Sequence, residues 1–453
     1  FNNLHQFRIE NGFEDTENYK NLNCYEINNK NKYSNNPDES SSDESECNVE
    51  GDEKGEENVV DDSETEEEKV SMVKVENSNT KEQLMVFNDS LRRYGLPDNK
   101  TPDNWIEAFS LLRDILELDN IKRDPVSHKR VIFLDEISWM NTSRSNFKSA
   151  LEYFWNSWAS TQPDILLIIC GSATSWIIDN IVMDNGGLYN RVTRQIHLQP
   201  FTLNECEQFF NANGIAMGKN KIIESYMVFG GVPFYLNMLD RRLSLDQNID
   251  ELLIHSNGEL RNEYDRLFKS LFKNSKTHIK IIDALANKRY GFTRDEIIEH
   301  TDLKSGESLS KALKELEQSD FIRKYKNGFS GKNSCIYQII DPYILFYQYY
   351  IKNGKINSWI KYMNTPGYNT WHGLTFEIVC INHIKQMKNT LGISGVETSE
   401  YSWRSCGSSP GTQIDLIIDR SDDVIDICEM KYSSDEFEID PSYEKNLINK
   451  IYT

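Results

Sequence analysis

The chain has 453 residues and a formal net charge of −21, with 71 Asp and Glu against 50 Lys and Arg, which gives room for about three domains. The charge is uneven: residues 1–80 hold 22 acids against 7 Lys and Arg, so the total charge argues neither for nor against a nucleic-acid partner. Apolar runs are far shorter than a membrane span, no signal peptide is visible, and 8 Cys without CxxC or Cys/His pairing signal neither a zinc site nor a disulfide framework, which leads to a cytoplasmic expectation without a membrane partner.

Residues 1–78 are rich in Asn, Ser, Asp and Glu and carry too little apolar surface to offset chain entropy, so they are expected to be disordered. A functional alternative is mimicry of nucleic-acid charge. The first residue is Phe1 rather than Met, as expected of a fragment. Residues 79–255 alternate helical and strand patterns. Lys81 to Tyr94 places Leu84, Phe87 and Leu91 on one helical face with Met85 and Asn88 beside it, and Asn104 to Leu118 repeats the stripe with Trp105, Ala108, Phe109, Leu112 and Ile115. Val131 to Met140, VIFLDEISWM, reads as a buried parallel strand that delivers Asp135 and Glu136 to the carboxyl edge of a sheet. The bland alternative is a strand that simply ends in two solvated acids. Phe147 to Trp158 is an aromatic helix, and Asp164 to Ser172, DILLIICGS, is a second buried strand ending in Gly-Ser. Ile196 to Leu198 is expected to begin a third strand, Thr202 with Glu205 to cap a helix, and Lys221 to Leu239 to start a helical lid. Alternation of this kind implies a parallel α/β sheet.

Residues 256–345 change character. Ser275–Ala286, Thr293–His300 and Ser305–Ser319 read as three short helices, and Phe321–Lys326 with Cys335–Ile340 as a hairpin around NGFSGKN. Three helices and a hairpin make a winged helix-turn-helix. Its third helix would be the DNA-recognition helix, but Lys311 and Lys314 are offset by Glu307, Glu315 and Glu317, a poor face for counterion release. A packing module is the alternative.

Residues 346–453 open with the aromatic FYQYYI, continue with a helix over Trp371–Met387, and end in two strand-like runs, Ile414–Ile418 and Val424–Met430. Strand alternation puts Glu429 and Lys431 on one face, and Asp415 can meet them across the hairpin. Two acids can hold Mg²⁺ against a phosphodiester while a lysine manages charge on the nucleophile side. Glu377, on the preceding helix, is the candidate for an additional acid, and His372 reads as a surface or core histidine. The alternative is a solvated edge whose acids keep a strand soluble. The stretch YEKNLINKIYT closes the chain where further fold is expected, so this domain is expected to be truncated.

VIFLDEISWM, LEYFWNSWAS, IICGSATSWI, GGLYNRVTRQIHLQPFTLNE and GGVPFYL together resemble a group of prokaryotic-type AAA/STAND ATPases that end in a nuclease-like domain of uncharacterised function. The resemblance runs from about Lys81 to the end of the chain. It implies a P-loop-NTPase-like sheet, a winged helix and a partial restriction-endonuclease-like domain, with ATP and Mg²⁺ as cofactors, DNA as a partner and self-association. In such proteins the first acid of the DE pair holds Mg²⁺ and the second orients water, which implies Asp135 for the metal and Glu136 for catalysis. Ser172 then matches the sensor, Arg191 or Arg194 a charge-stabilising finger, and Pro233 of the GGVP run the lid beside adenine. Exposed arginines and a helix-terminating turn are the alternatives for those last positions. Asp415, Glu429 and Lys431 match the PD-(D/E)xK nuclease pattern, with Glu377 as a further metal ligand.

One part is missing. No G-x-x-x-x-G-K-[ST] precedes the DE strand; Gly95–Thr101 and Gly214–Asn220 are decoys, one following a helix and the other too short and too late. Either the loop was lost or it lies upstream of Phe1. Without its amides the chain is expected to bind ATP poorly and hydrolyse it negligibly. The leading expectation is therefore an ATP-binding, DNA-associated ATPase-like protein with an incomplete site. A Mg²⁺-dependent nuclease and an inactive interaction scaffold are the alternatives.

Overall fold

The computed structural model describes residues 79–142, 144–172, 174–183, 186–272, 274–288, 290–326, 335–404, 412–433 and 437–452. The acidic segment 1–78 and the NGFSGKN tip lie outside the described residues. The chain divides into two compact units between Cys170 and Gly171. That division falls inside the 79–255 segment expected to be one domain.

In the amino-terminal unit, α1 (Thr80–Arg93) starts at Asn79, whose side chain accepts from Glu82 N–H while the Glu82 carboxylate accepts from Asn79 N–H, a reciprocal cap. Helix α2 (Trp105–Leu116) is capped one way, the Asn104 side chain accepting from Glu107 N–H. Their apolar stripes converge on α3 (Phe147–Ser157): Trp105 meets Phe147 edge-on at 4.8 Å and Phe109 stacks on Phe154 at 5.2 Å. Each such fully buried side chain contributes about 1.5–3 kcal/mol. Met85, beside the stripe, is exposed, whereas Asn88 is buried. Strands β1 (Arg130–Leu134) and β2 (Ile165–Ile169) pair in parallel, Arg130 opposite Ile165 and Leu134 opposite Ile169. The amino end of the pair is fixed by Arg130, a buried guanidinium that bridges Asp164 at 2.5 Å and donates to the Leu116 carbonyl at 2.6 Å.

The carboxy-terminal unit is built on one apolar cluster that runs from Phe201 to Val379. It is continuous across residues 255 and 345, where composition suggested domain boundaries. Helix α4 (Leu203–Ala212) carries the expected Thr202/Glu205 reciprocal cap, and α5 (Lys219–Phe229) ends at Gly230. The segment Ile196–Leu198, expected to begin a strand, pairs with nothing described as sheet: its residues run irregular and largely exposed, because the described parallel sheet holds β1 and β2 alone.

After α6 (Glu263–Leu271), the helices α7 (Ser275–Leu285), α8 (Arg294–Glu299) and α9 (Glu307–Gln318) follow, with Thr293 and Glu296 capping α8 reciprocally. Strands β4 (Ile322–Lys326) and β5 (Cys335–Ile339) form the expected antiparallel hairpin, and a short β3 (Phe292–Thr293) pairs on the far side of β5. Arg323 of β4 donates to Gln338 at 2.7 Å and to the Ser402 hydroxyl at 2.9 Å, joining this sheet to the next. The FYQYYI run is helical, with Phe346 and Tyr350 buried against Trp359 and Trp371.

The helix expected over Trp371–Met387 starts earlier and breaks, giving α10 (Pro366–Asn382) and α11 (Ile384–Thr390). At the break His383 donates from Nδ1 to the Val379 carbonyl and accepts at Nε2 from Leu203 N–H, 2.9 Å away at the start of α4. The last sheet has the order β6-β7-β8, with β6 (Thr398–Arg404), β7 (Gln413–Arg420) and β8 (Ile425–Cys428) all antiparallel. Strand β7 is buried in the middle; β8 lies at the edge with Ile425 and Ile427 exposed. Helix α12 (Pro441–Tyr452) ends the described chain. No helix among the described residues is long and apolar enough to cross a membrane.

Candidate functional site

Parallel pairing decides where the first acids go. Because β1 and β2 stay in register to Leu134 and Ile169, the residues that follow emerge together at the carboxyl edge. Asp135 is buried there, and its Oδ1 accepts from Glu136 N–H at 3.0 Å and from the Cys170 thiol at 3.0 Å. Burial, with Asp135 second, pushes the Cys170 thiol well up, so it stays protonated and donates. Glu136 sits at φ 50, a left-handed conformation uncommon for a non-glycine residue, and turns the chain into a short helical turn at Ile137–Met140. Both contacts named for Asp135 come from neutral donors, which leave its charge uncompensated by them.

The phosphate side does not fit in the same way. Gly95 is the single glycine between residues 79 and 129, and it ends α1, donating to the Arg92 carbonyl at 3.0 Å. A cradle of successive amides therefore has no place among these residues, and a triphosphate is not accommodated by them. Ser172, Arg191, Arg194 and Pro233 belong to the other unit. Ser172 is half-buried, Arg191 and Arg194 are exposed on an irregular segment, and Pro233 is buried at the first position of a helical turn.

The neighbouring glycines have a steric role. Phe201 N–H donates to the Gly231 carbonyl at 2.7 Å, and a Cβ at Gly231 would stand 1.9 Å from the Phe201 carbonyl oxygen. Gly230 at φ +63 closes α5. The GGVP run thus works as a backbone clamp in this unit.

Within the carboxy-terminal unit three residues predicted from the sequence come close together. Asp415, in the buried middle strand β7, accepts at Oδ2 from Met430 N–H at 3.0 Å and at Oδ1 from Gln413 at 3.2 Å. Beyond the end of β8, Lys431 pairs with Glu429 at 2.9 Å. Burial raises the Asp415 carboxyl above its ordinary range, with Glu429 adding to the shift. Glu429 goes the other way: burial alone would raise it, but hydrogen bonds from Lys450 and Lys431 hold it below the usual value. Lys431 is correspondingly raised, burial being outweighed by the hydrogen bond to Glu429. The next residue, Tyr432, donates to Glu224 of α5 at 3.0 Å, which anchors this stretch to the helical core.

Glu377 is buried on α10, but it does not complete a metal-binding trio: among the described residues no group of three or more His, Cys, Asp or Glu is arranged to hold a metal. His372 is a core histidine, packed on Tyr368 at 3.9 Å between ring centres and donating to the Tyr368 carbonyl. Sequence reasoning missed Cys170, and it missed two members of the distal cluster. Tyr443 donates to Glu429 Oε1 at 3.2 Å, and Lys450 donates to Glu429 Oε2. The seven-residue spacing of Tyr443 and Lys450 was a usable signal, since it puts both on one face of a helix.

No family model matches the chain, and no curated protein matches it. Among solved structures it is similar to the Walker-type ATPase PABY2304 of Pyrococcus abyssi, at 18% identity over 59% of this chain and 76% of that one, with a TM-score of 0.39. A likeness at that level carries no assignment. What stands is a mixed α/β protein with a two-stranded parallel sheet and two separate acidic centres.

Proposed function

We propose that the chain is an ATP-binding, ATPase-like protein of the AAA/STAND type, and that these residues supply the metal side of its nucleotide site without the phosphate cradle. The observation that carries this reading is the in-register parallel pair β1–β2, whose carboxyl edge presents Asp135 and Glu136. Asp135 would hold Mg²⁺ and Glu136 would orient water. The absent amide cradle removes most of the nucleotide's binding energy, so affinity is weak and turnover negligible. A fluorescent ATP analogue titrated with and without Mg²⁺ tests it. The reading expects weak binding whose Mg²⁺-dependent part disappears in Asp135→Ala. Binding indifferent to Mg²⁺, or unchanged in that variant, defeats it.

A second reading has its own support in the meeting of Asp415, Glu429 and Lys431. Behind a winged-helix segment that would bring DNA, this cluster would act as a Mg²⁺-dependent nuclease, two carboxylates holding the metal and Lys431 managing charge near the nucleophile. Metal-dependent nicking of supercoiled plasmid, lost in Lys431→Ala, is the expected result. Nicking that survives that substitution removes this reading.

A further inference from the structure

Glu429 is a crowded carboxylate. Lys431 and Tyr443 share its Oε1 and Lys450 takes Oε2, while its side chain keeps 14% of its surface exposed. The two lysines carry two positive charges, which Glu429 and Asp415 together balance when ionised. A divalent cation has no free edge of Glu429 to bind while Lys450 is there, because an ammonium and a metal want the same lone pairs. Lys450 is not part of the strand pair that builds the cluster: it comes from α12, a largely exposed helix. The ring of Tyr443, one face of that helix, lies 5.8 Å from the Lys431 ammonium.

We propose that Lys450 is a built-in counter-cation for the acid cluster, a positioning residue that occupies the divalent-metal position, and that metal binds Asp415 and Glu429 only as Lys450 leaves. The proposal rests on the nuclease reading of this cluster. In this arrangement Lys450 holds Glu429 in place beside Asp415, and it sets a threshold on metal affinity. Tyr443 holds the other oxygen in place and is not displaced by the metal.

The experiment uses the full chain and Mn²⁺ as the probe, followed by electron paramagnetic resonance, in wild type, Lys450→Met, Glu429→Gln and Asp415→Asn. Methionine keeps the bulk of the lysine stem and removes its charge. Lys450→Gln serves as a second variant where Lys450→Met fails to fold, as judged by circular dichroism. The proposal expects Mn²⁺ to bind at least about tenfold more tightly after Lys450→Met, a gain of about 1.4 kcal/mol. It also expects this gain to be absent when Glu429→Gln is added. Equal Mn²⁺ affinity in wild type and Lys450→Met, with binding still lost in Asp415→Asn, would leave the metal site standing and overturn the role of Lys450. Binding in none of these proteins would overturn both.

Discussion

The two acidic centres use their surroundings in opposite ways. Asp135 stands at the end of a parallel strand and takes hydrogen bonds from an amide and a thiol, both neutral. Glu429 stands beyond an antiparallel edge strand and is ringed by two ammonium groups and a phenol. Neutral donors orient a carboxylate without cancelling its charge, whereas ammonium groups do both. The donors named for the first centre are neutral, and no loop of successive amides stands beside it among the described residues. The second has a full set of partners and, on the proposal made for Lys450, must lose one before it can take a metal. Carboxylates at strand ends look alike in a sequence, and the donors brought by distant segments separate them.

The sharpest way to test that contrast is to cut each centre in turn and read the other. On the nuclease reading, Asp415→Asn is expected to lower plasmid nicking by about a hundredfold or more, and Asp135→Asn to leave it within about twofold. Equal losses in a nicking assay would mean that the two centres are not separate.

Next in size is a change that touches neither centre. Gly231→Ala forces a Cβ to within 1.9 Å of the Phe201 carbonyl and is expected to cost about 3 kcal/mol or more in urea unfolding. If the GGVP run mattered only for a nucleotide lid, stability would stay unchanged.

Two smaller effects are read against pH. Glu429 has a lowered folded value, so its contribution is present above its unfolded value of about 4.5 and is lost as pH falls through the folded one. Glu429→Gln should therefore remove that loss of stability below about pH 4.5. His372 and His383 are both lowered, chiefly by burial. The unfolded chain then binds more protons as pH drops below about 6.5, and stability falls with it. In His383→Gln the amide oxygen can still accept from Leu203 N–H, and the decline in stability between about pH 7.5 and 5.5 should become shallower in thermal melts. Smallest of all, Cys170→Ser replaces one neutral donor to Asp135 with another and should shift stability by about 0.5 kcal/mol or less. A larger shift would mean that the thiol does more than orient the acid.

Much of the local structure was legible because it is written in short-range chemistry. The reciprocal caps at Thr202/Glu205 and Thr293/Glu296, the helical stripes through Phe87 and Phe109, and the buried runs of β1 and β2 depend on neighbours within one or two turns. The meeting of Asp415 with Glu429 and Lys431 was legible for a similar reason, since a hairpin brings its own ends together.

What escaped depends on contacts far apart in the chain. Strand β6 was missed because TSEYSWR shows its alternation only at Tyr401 and Trp403. The break at His383 depends on Leu203, 180 residues away. Segment Ile196–Leu198 has the β-branched and apolar look of a strand but pairs with no strand among the described residues, and composition cannot report which neighbours are in place. Lys450 was visible as a lysine near the end of the chain; that it reaches Glu429 could be learned only from the fold.

Among the described residues strand β8 has no strand on its outer side, and Ile425 at 48% and Ile427 at 42% exposure face solvent. Open amides beside apolar side chains invite another strand to add on, so concentrated samples should sediment heavier than dilute ones. One lysine in place of Ile427 would put a charge where an incoming strand must lie, and it should keep the protein dispersed during purification.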